Sequence, residues 1–151
     1  MTLQGADAEQ FDWLTLPTSD IWGVIMRKDA PLAKKKRVRV SDLAGLSLIM
    51  SREAMREEYP MWFGKAFSSM QTAVTFNLVY NAAVAVREGL GYLVSIDGLV
   101  DVGAESELCF RPLTPKMTST LYFIWRKNRP FSPAAALLLE EMRKRYEETG
   151  R

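Results

Sequence analysis

The segment from Val74 to Gly98 constrains the fold more than any other, because it reads as three consecutive elements of one supersecondary unit: a strand, a helix and a second strand. Val74 and Phe76 lie in a short β-favouring run. Asn77 then offers a side-chain oxygen to cap a helix in which Val79, Ala82, Ala83 and Val86 recur at helical spacing. Gly89 ends that helix and Gly91 opens the next strand. Tyr92, Leu93, Val94 and Ile96 form a nearly continuous apolar run, the pattern of a strand covered on both faces, before Asp97-Gly98 turns the chain.

Strands alternate with helices on either side of this unit, which predicts an α/β sheet. Phe11 to Leu16 reads as a half-buried strand that Pro17 to Asp20 interrupts before a second strand, Trp22 to Arg27. Val38 to Val40 is a short extended piece, Ser41 caps the turn Asp42 to Gly45, and Leu46 to Met50 is the next strand. Ser51 caps a following helix that Pro60 limits or kinks, and Gly64 to Ser69 is its exit loop. Beyond the central unit come a loop from Val100 to Ser106 and strands Leu108 to Leu113 and Thr120 to Arg126. The last helix runs from Ser132 to about Glu148, with Ser132 as cap, Pro133 at the first helical position and a buried stripe of Ala136, Leu139 and Met142 or Arg143.

Composition narrows function mainly by exclusion. The 151 residues contain no histidine, which removes His-assisted nucleophilic catalysis, a His general base and every His-ligated metal site. No metal and no cofactor is expected. Cys109, the single cysteine, has no internal disulfide partner, and its apolar strand predicts a buried structural thiol. Apolar residues at 48% and charged residues at 25% describe a globular chain, and no apolar run reaches the ~20 residues of a membrane span. With no export signal in Met1 to Gln10, a cytoplasmic protein without a membrane partner is expected. The basic run Lys34-Lys35-Lys36-Arg37-Val38-Arg39 reads as a solvated loop, since the net charge is only +2 and no groove-reading element accompanies it.

Taken together, Val74 to Gly98, the later Cys109-Phe110-Arg111-Pro112-Leu113 and the Trp125 strand before a C-terminal helix resemble the effector-binding half of LysR-type transcriptional regulators. Further matches are Trp22 to Ala33 with its Pro-Leu-Ala, Ser41-Asp42-Leu43, Leu46 to Arg52, and Phe131-Ser132-Pro133-Ala134-Ala135. No single motif is specific; their order and spacing over about 130 residues carry the resemblance. It implies a periplasmic-binding-protein-like (type II) α/β effector domain. Residues 27–108 would form a complete lobe, and residues 1–26 with 109–151 a partial second lobe carrying the hinge strands and C-terminal helix. It also implies the C-terminal part of a regulator without its helix-turn-helix, hence no DNA contact by this chain itself. A homodimer formed through the uncovered faces of the partial lobe is expected.

In the resembling family a small effector binds between the lobes, where strand ends and helix starts supply polar groups. The matching positions are Ser51 and Arg52 after one strand, Asn77 and Asn81 at the start of the next helix, and Thr18, Ser19 and Trp22 near the first crossing strand. Arg52 would pair with an anionic group. Each residue has a plainer reading: Ser51 and Asn77 as helix caps, Arg52 as a solvated cation, Trp22 and Trp125 as packing residues, and Met50, Met55, Met61 and Met70 as core filling. Two other functions fit the architecture. One is a solute-binding protein; the other is a small α/β enzyme using Asp20, Glu53 or Asp97, although no spacing among these selects a reaction.

Overall fold

The computed structural model describes residues 9–147, so Met1 to Ala8, most of the stretch read as carrying no export signal, and Glu148 to Arg151, with the expected end of the last helix, lie outside the described residues. Among the described residues seven strands and three α-helices follow in the order β1 (Phe11–Arg27), β2 (Val38–Arg39), β3 (Ser47–Ser51), α1 (Glu58–Phe63), β4 (Gln71–Phe76), α2 (Val79–Arg87), β5 (Tyr92–Ile96), β6 (Leu108–Thr114), β7 (Thr118–Arg126) and α3 (Pro133–Glu147). Two compact units divide them: Ile21–Thr118, and the described residues up to Asp20 together with those from Ser119 onward.

In the larger unit the strands lie in the order β2-β6-β1-β5-β3-β4. The later part of β1 is antiparallel to β5 and β6, whereas β3 runs parallel to both β4 and β5. The β4-α2-β5 passage is therefore a crossover past β3, which is the unit that Val74 to Gly98 predicts. Successive strand side chains point to opposite faces. On one face Val24, Met26, Leu48, Met50 and Val94 pack with Trp22, Tyr59 and Phe63. On the other, Ile25, Ile49 and Leu93 receive Ala82, Ala83 and Val86 of α2. The small alanines let the helix approach closely, and burial on both faces accounts for the continuous apolar run of β5.

Glycine is required where the backbones come closest. A Cβ at Gly23 would lie 2.5 Å from the Arg111 carbonyl oxygen, and one at Gly91 would lie 2.2 Å from that of Ser47. The Arg27 guanidinium closes the opposite end of α2, donating to the Arg87 carbonyl at 2.9 Å while it pairs with Asp29.

Several local expectations change. Pro17 to Asp20 does not break the first strand, which continues through them as β1, because an extended φ suits proline wherever its nitrogen owes no ladder bond. Ser51 Oγ does accept the Ala54 N–H at 3.4 Å, but regular helix starts only at Glu58. The Pro60 ring would clash with the carbonyl four residues earlier, at Arg56, and this holds 52–57 in turns. Asn77 is not the cap of α2; Leu78 occupies that position, in an extended conformation and without a side-chain cap bond. Asp42, rather than Ser41, satisfies the turn after β2 by accepting the Arg39 N–H at 2.9 Å. Gly64–Ser69 is a 3-10 helix rather than an open loop. Cys109 is free and buried, as its strand predicts.

The smaller unit consists of β7 paired with the first part of β1, and α3. Lys127 N–H closes the pairing on the Gln10 carbonyl at 2.8 Å. Ser132 caps α3, its Oγ accepting the Ala135 N–H at 3.2 Å. The inward stripe is Ala135, Leu139, Met142 and Tyr146, one position away from the expected one at its start, while Ala136 is exposed. Arg143 lies over the Trp125 ring instead of in the stripe, 5.4 Å from its centroid.

Candidate functional site

At the carboxyl ends of β3 and β4 the larger unit has a cavity of about 360 Å³ lined by Arg52, Val74, Thr75, Phe76, Asn77, Leu78, Asn81 and Ala82. In open parallel sheets this is where the chain leaves strands for helices, so strand-end side chains and free helix amides converge on one spot. The first intrahelical bond of α2 runs from the Ala82 N–H to the Leu78 carbonyl at 3.3 Å, so the amides of Val79, Tyr80 and Asn81 have no partner within the helix. That end of the helix carries partial positive charge. Arg52 is the one ionisable residue in the lining. Its side chain, and those of Asn77 and Asn81, make no hydrogen bond or ion pair among the described residues. The cavity thus presents a guanidinium, two amides and a helix N-terminus with no acid among its lining residues, an arrangement suited to an organic anion.

The backbone beneath Arg52 is firmly held. Its N–H donates to the Phe76 carbonyl at 3.0 Å, tying the end of β3 to the end of β4. One residue earlier, the Ser51 N–H donates to the Tyr59 hydroxyl at 3.2 Å, and that hydroxyl donates to the Val94 carbonyl at 2.9 Å. Burial pushes the Tyr59 phenol well above its ordinary range. The bond from Ser51 opposes this shift and nearby Glu58 adds to it. The Tyr59 ring stacks on Phe63 at 5.7 Å and meets Trp22 edge to face, also at 5.7 Å.

Of the residues predicted from sequence, the structure brings Arg52, Asn77 and Asn81 together around the cavity. Ser51 lies directly behind them, half-buried, with its hydroxyl engaged by Ala54. Trp22 is buried against Tyr59 and Trp62, whereas Thr18 and Ser19 are exposed residues of β1 in the smaller unit. Met50, Met55 and Met70 join the core, and Met61 is exposed. Sequence reasoning missed Thr75 and Tyr59. Thr75 would follow from strand alternation once the register of β4 was known. Tyr59 has no sequence signal, because its role depends on two backbone groups remote in sequence. Among the described residues no group of three or more His, Cys, Asp or Glu is placed to hold a metal, and no helix is long and apolar enough to cross a membrane.

The architecture is that of a two-unit α/β effector domain of the periplasmic-binding-protein type. The model of the LysR substrate binding domain matches residues 3–147, and the chain belongs to that family. Among solved structures, the Synechocystis PCC6803 CcmR regulatory domain in complex with 2-PG is similar at a TM-score of 0.74 and 19% identity. The match covers 90% of this chain and 67% of that one. The effector binding domain of QuiR in complex with shikimate gives 0.78 at 17% identity, covering 94% and 68%. Full-length CbnR complexed with its target DNA gives 0.71 at 14% identity; this chain, 89% covered, spans 46% of its length. No curated protein matches the sequence.

Proposed function

We propose that the chain is the ligand-sensing part of a LysR-type transcriptional regulator and that it binds a small organic anion at the carboxyl ends of β3 and β4. The observation that carries this is the convergence of three unpartnered polar side chains, Arg52, Asn77 and Asn81, with the N-terminus of α2 on one cavity. The ligand's anionic group sits at the helix start, Arg52 pairs with it, and the two amides read its hydroxyl or carbonyl groups. The ligands of the similar CcmR and QuiR domains, 2-PG and shikimate, accord with a site for small molecules. Binding acts by shifting an equilibrium between arrangements of the protein, without chemistry on the ligand.

The same proposal makes the protein cytoplasmic and a homodimer, and gives it no sequence-specific reading of DNA. Support for self-association comes from the smaller unit, where Phe131, Leu137 and Leu138 are 43%, 60% and 52% exposed. Native mass spectrometry of protein purified without added ligand, followed by thermal melting against a panel of small carboxylates that includes shikimate, tests the reading. A retained or stabilising anion is expected, raising the melting temperature in proportion to the logarithm of its concentration. No stabilisation by any anion, with neutral molecules stabilising instead, would overturn it.

A further inference from the structure

The basic run is built differently from a solvated loop. Leu32 and Ala33 are buried before it, and Val38 and Leu43 are fully buried within and after it. The Arg111 guanidinium grips the Ala33 carbonyl with two bonds of 2.8 and 3.1 Å. Val38 and Arg39 pair in parallel with Leu113 and Thr114, and Lys35 is tied to Asp42 at 2.6 Å. These anchors leave Lys34, Lys36, Arg37 and Arg39 exposed on a tethered segment; Lys34, Lys36 and Arg37 form no ion pair among the described residues, and Arg39 lies within electrostatic reach of Asp42. Beside Arg39 the surface dips into a cavity of about 420 Å³ whose lining includes Ser41 and Thr114.

Charge is segregated as well. Five of the 20 lysines and arginines lie in this run, leaving 15 against 18 acids in the rest of the chain, so attraction for a polyanion is concentrated here. We propose that this tethered basic segment is a sequence-independent contact for the phosphate backbone of duplex DNA. An acidic protein segment fits it less well, because peptide docking draws on apolar anchors and no large hydrophobic residue is exposed between Lys28 and Pro60. Exposed cations with the hydroxyls of Ser41 and Thr114 beside Arg39 instead supply the charge and hydrogen-bonding groups that phosphate oxygens take up. The inference is independent of the effector site, which uses none of these residues.

The test is fluorescence anisotropy of the whole chain against two labelled duplexes of unrelated sequence, titrated with salt from low ionic strength, with polyglutamate as an acidic polymer control. Expected are equal affinities for the two duplexes and a slope of log K against log salt of roughly −3 to −4, for about four phosphates neutralised. The variant Lys34→Gln/Lys36→Gln/Arg37→Gln/Arg39→Gln should lose at least tenfold in low-salt affinity and most of that slope while melting at the unchanged temperature. No binding to either duplex at low salt, an unchanged slope in the variant, or tighter binding of polyglutamate than of DNA would each overturn the proposal.

Discussion

The larger unit holds almost all of the buried apolar side chains, whereas in the smaller one only Leu14 and Leu139 are buried among the described residues. Strand content alone does not account for the difference. In 21–118 the central strands are covered on both faces, so Val24, Ile25, Leu48, Ile49, Leu93 and Val94 each find apolar neighbours whichever way they point, while the edge strand β4 alternates between exposed and half-buried residues. In the smaller unit β7 is at most half-buried along its length and α3 presents one narrow inward stripe, with Leu137 and Leu138 turned outward. Stability is therefore concentrated where the cavity lies, and the smaller unit is the part that a neighbour or a conformational change can most readily alter.

The sharpest way to break this contrast is a matched pair of truncations. Leu93→Ala, at a fully buried residue of β5, should destabilise by about 3–5 kcal/mol; Leu139→Ala in α3 should lose less than about 2 kcal/mol, because its surroundings can collapse or hydrate. Urea denaturation of both variants measures this, and equal losses would mean that the smaller unit has a core as tight as the larger.

Tyr59→Phe tests the polar anchor of the larger unit. It leaves the Ser51 N–H and the Val94 carbonyl without their partner, for a loss of about 1–3 kcal/mol. The wild-type phenol is raised by folding. Its contribution is therefore fully present below the unfolded value near 10 and is lost as pH rises beyond it toward the higher folded value. Alkaline unfolding should accordingly become less pH-dependent in the variant, as followed by circular dichroism.

The smallest effect compares one exposed ion pair from each unit. Lys35 holds the Asp42 carboxyl below its usual range, helped by the Arg39 N–H, and Lys144 does the same for Glu140. Both contributions are present at neutral pH and disappear as pH falls below about 4 through the depressed folded values. Asp42→Asn and Glu140→Gln should each slightly flatten acid unfolding. At high salt only the Asp42→Asn effect should persist, since a backbone donor is screened less than a surface cation.

How much of this was legible in the sequence follows from the kind of signal involved. Periodicity and glycine placement disclosed β4, α2 and β5, because continuous burial and helical spacing leave marks on residue type. Helix starts were misplaced where tertiary bonds decide them. The Phe76 carbonyl takes the Arg52 N–H and Pro60 delays α1, while Leu78 takes the cap position from Asn77. Arg52, Asn77 and Asn81 could be proposed for one site because Arg52 and Asn77 stand just after strand ends, Asn81 lies in the first turn of the helix that follows, and adjacent parallel strands bring such ends together. Tyr59 could not, since its hydroxyl joins backbone groups 43 residues apart in the chain, Ser51 and Val94. The basic run was visible, but its tethering was not, because the Arg111 grip on Ala33 spans distant sequence.

The most direct test of the central claim is isothermal calorimetry of the identified anion with the wild type, Arg52→Ala and Asn77→Ala. Arg52→Ala should weaken binding by about 1.5–3 kcal/mol, the loss of a charge-assisted bond, and Asn77→Ala by about 0.5–1.5 kcal/mol, each with an unchanged melting temperature of the free protein. Affinity unchanged in both variants would contradict the account and remove the carboxyl ends of β3 and β4 from the effector site.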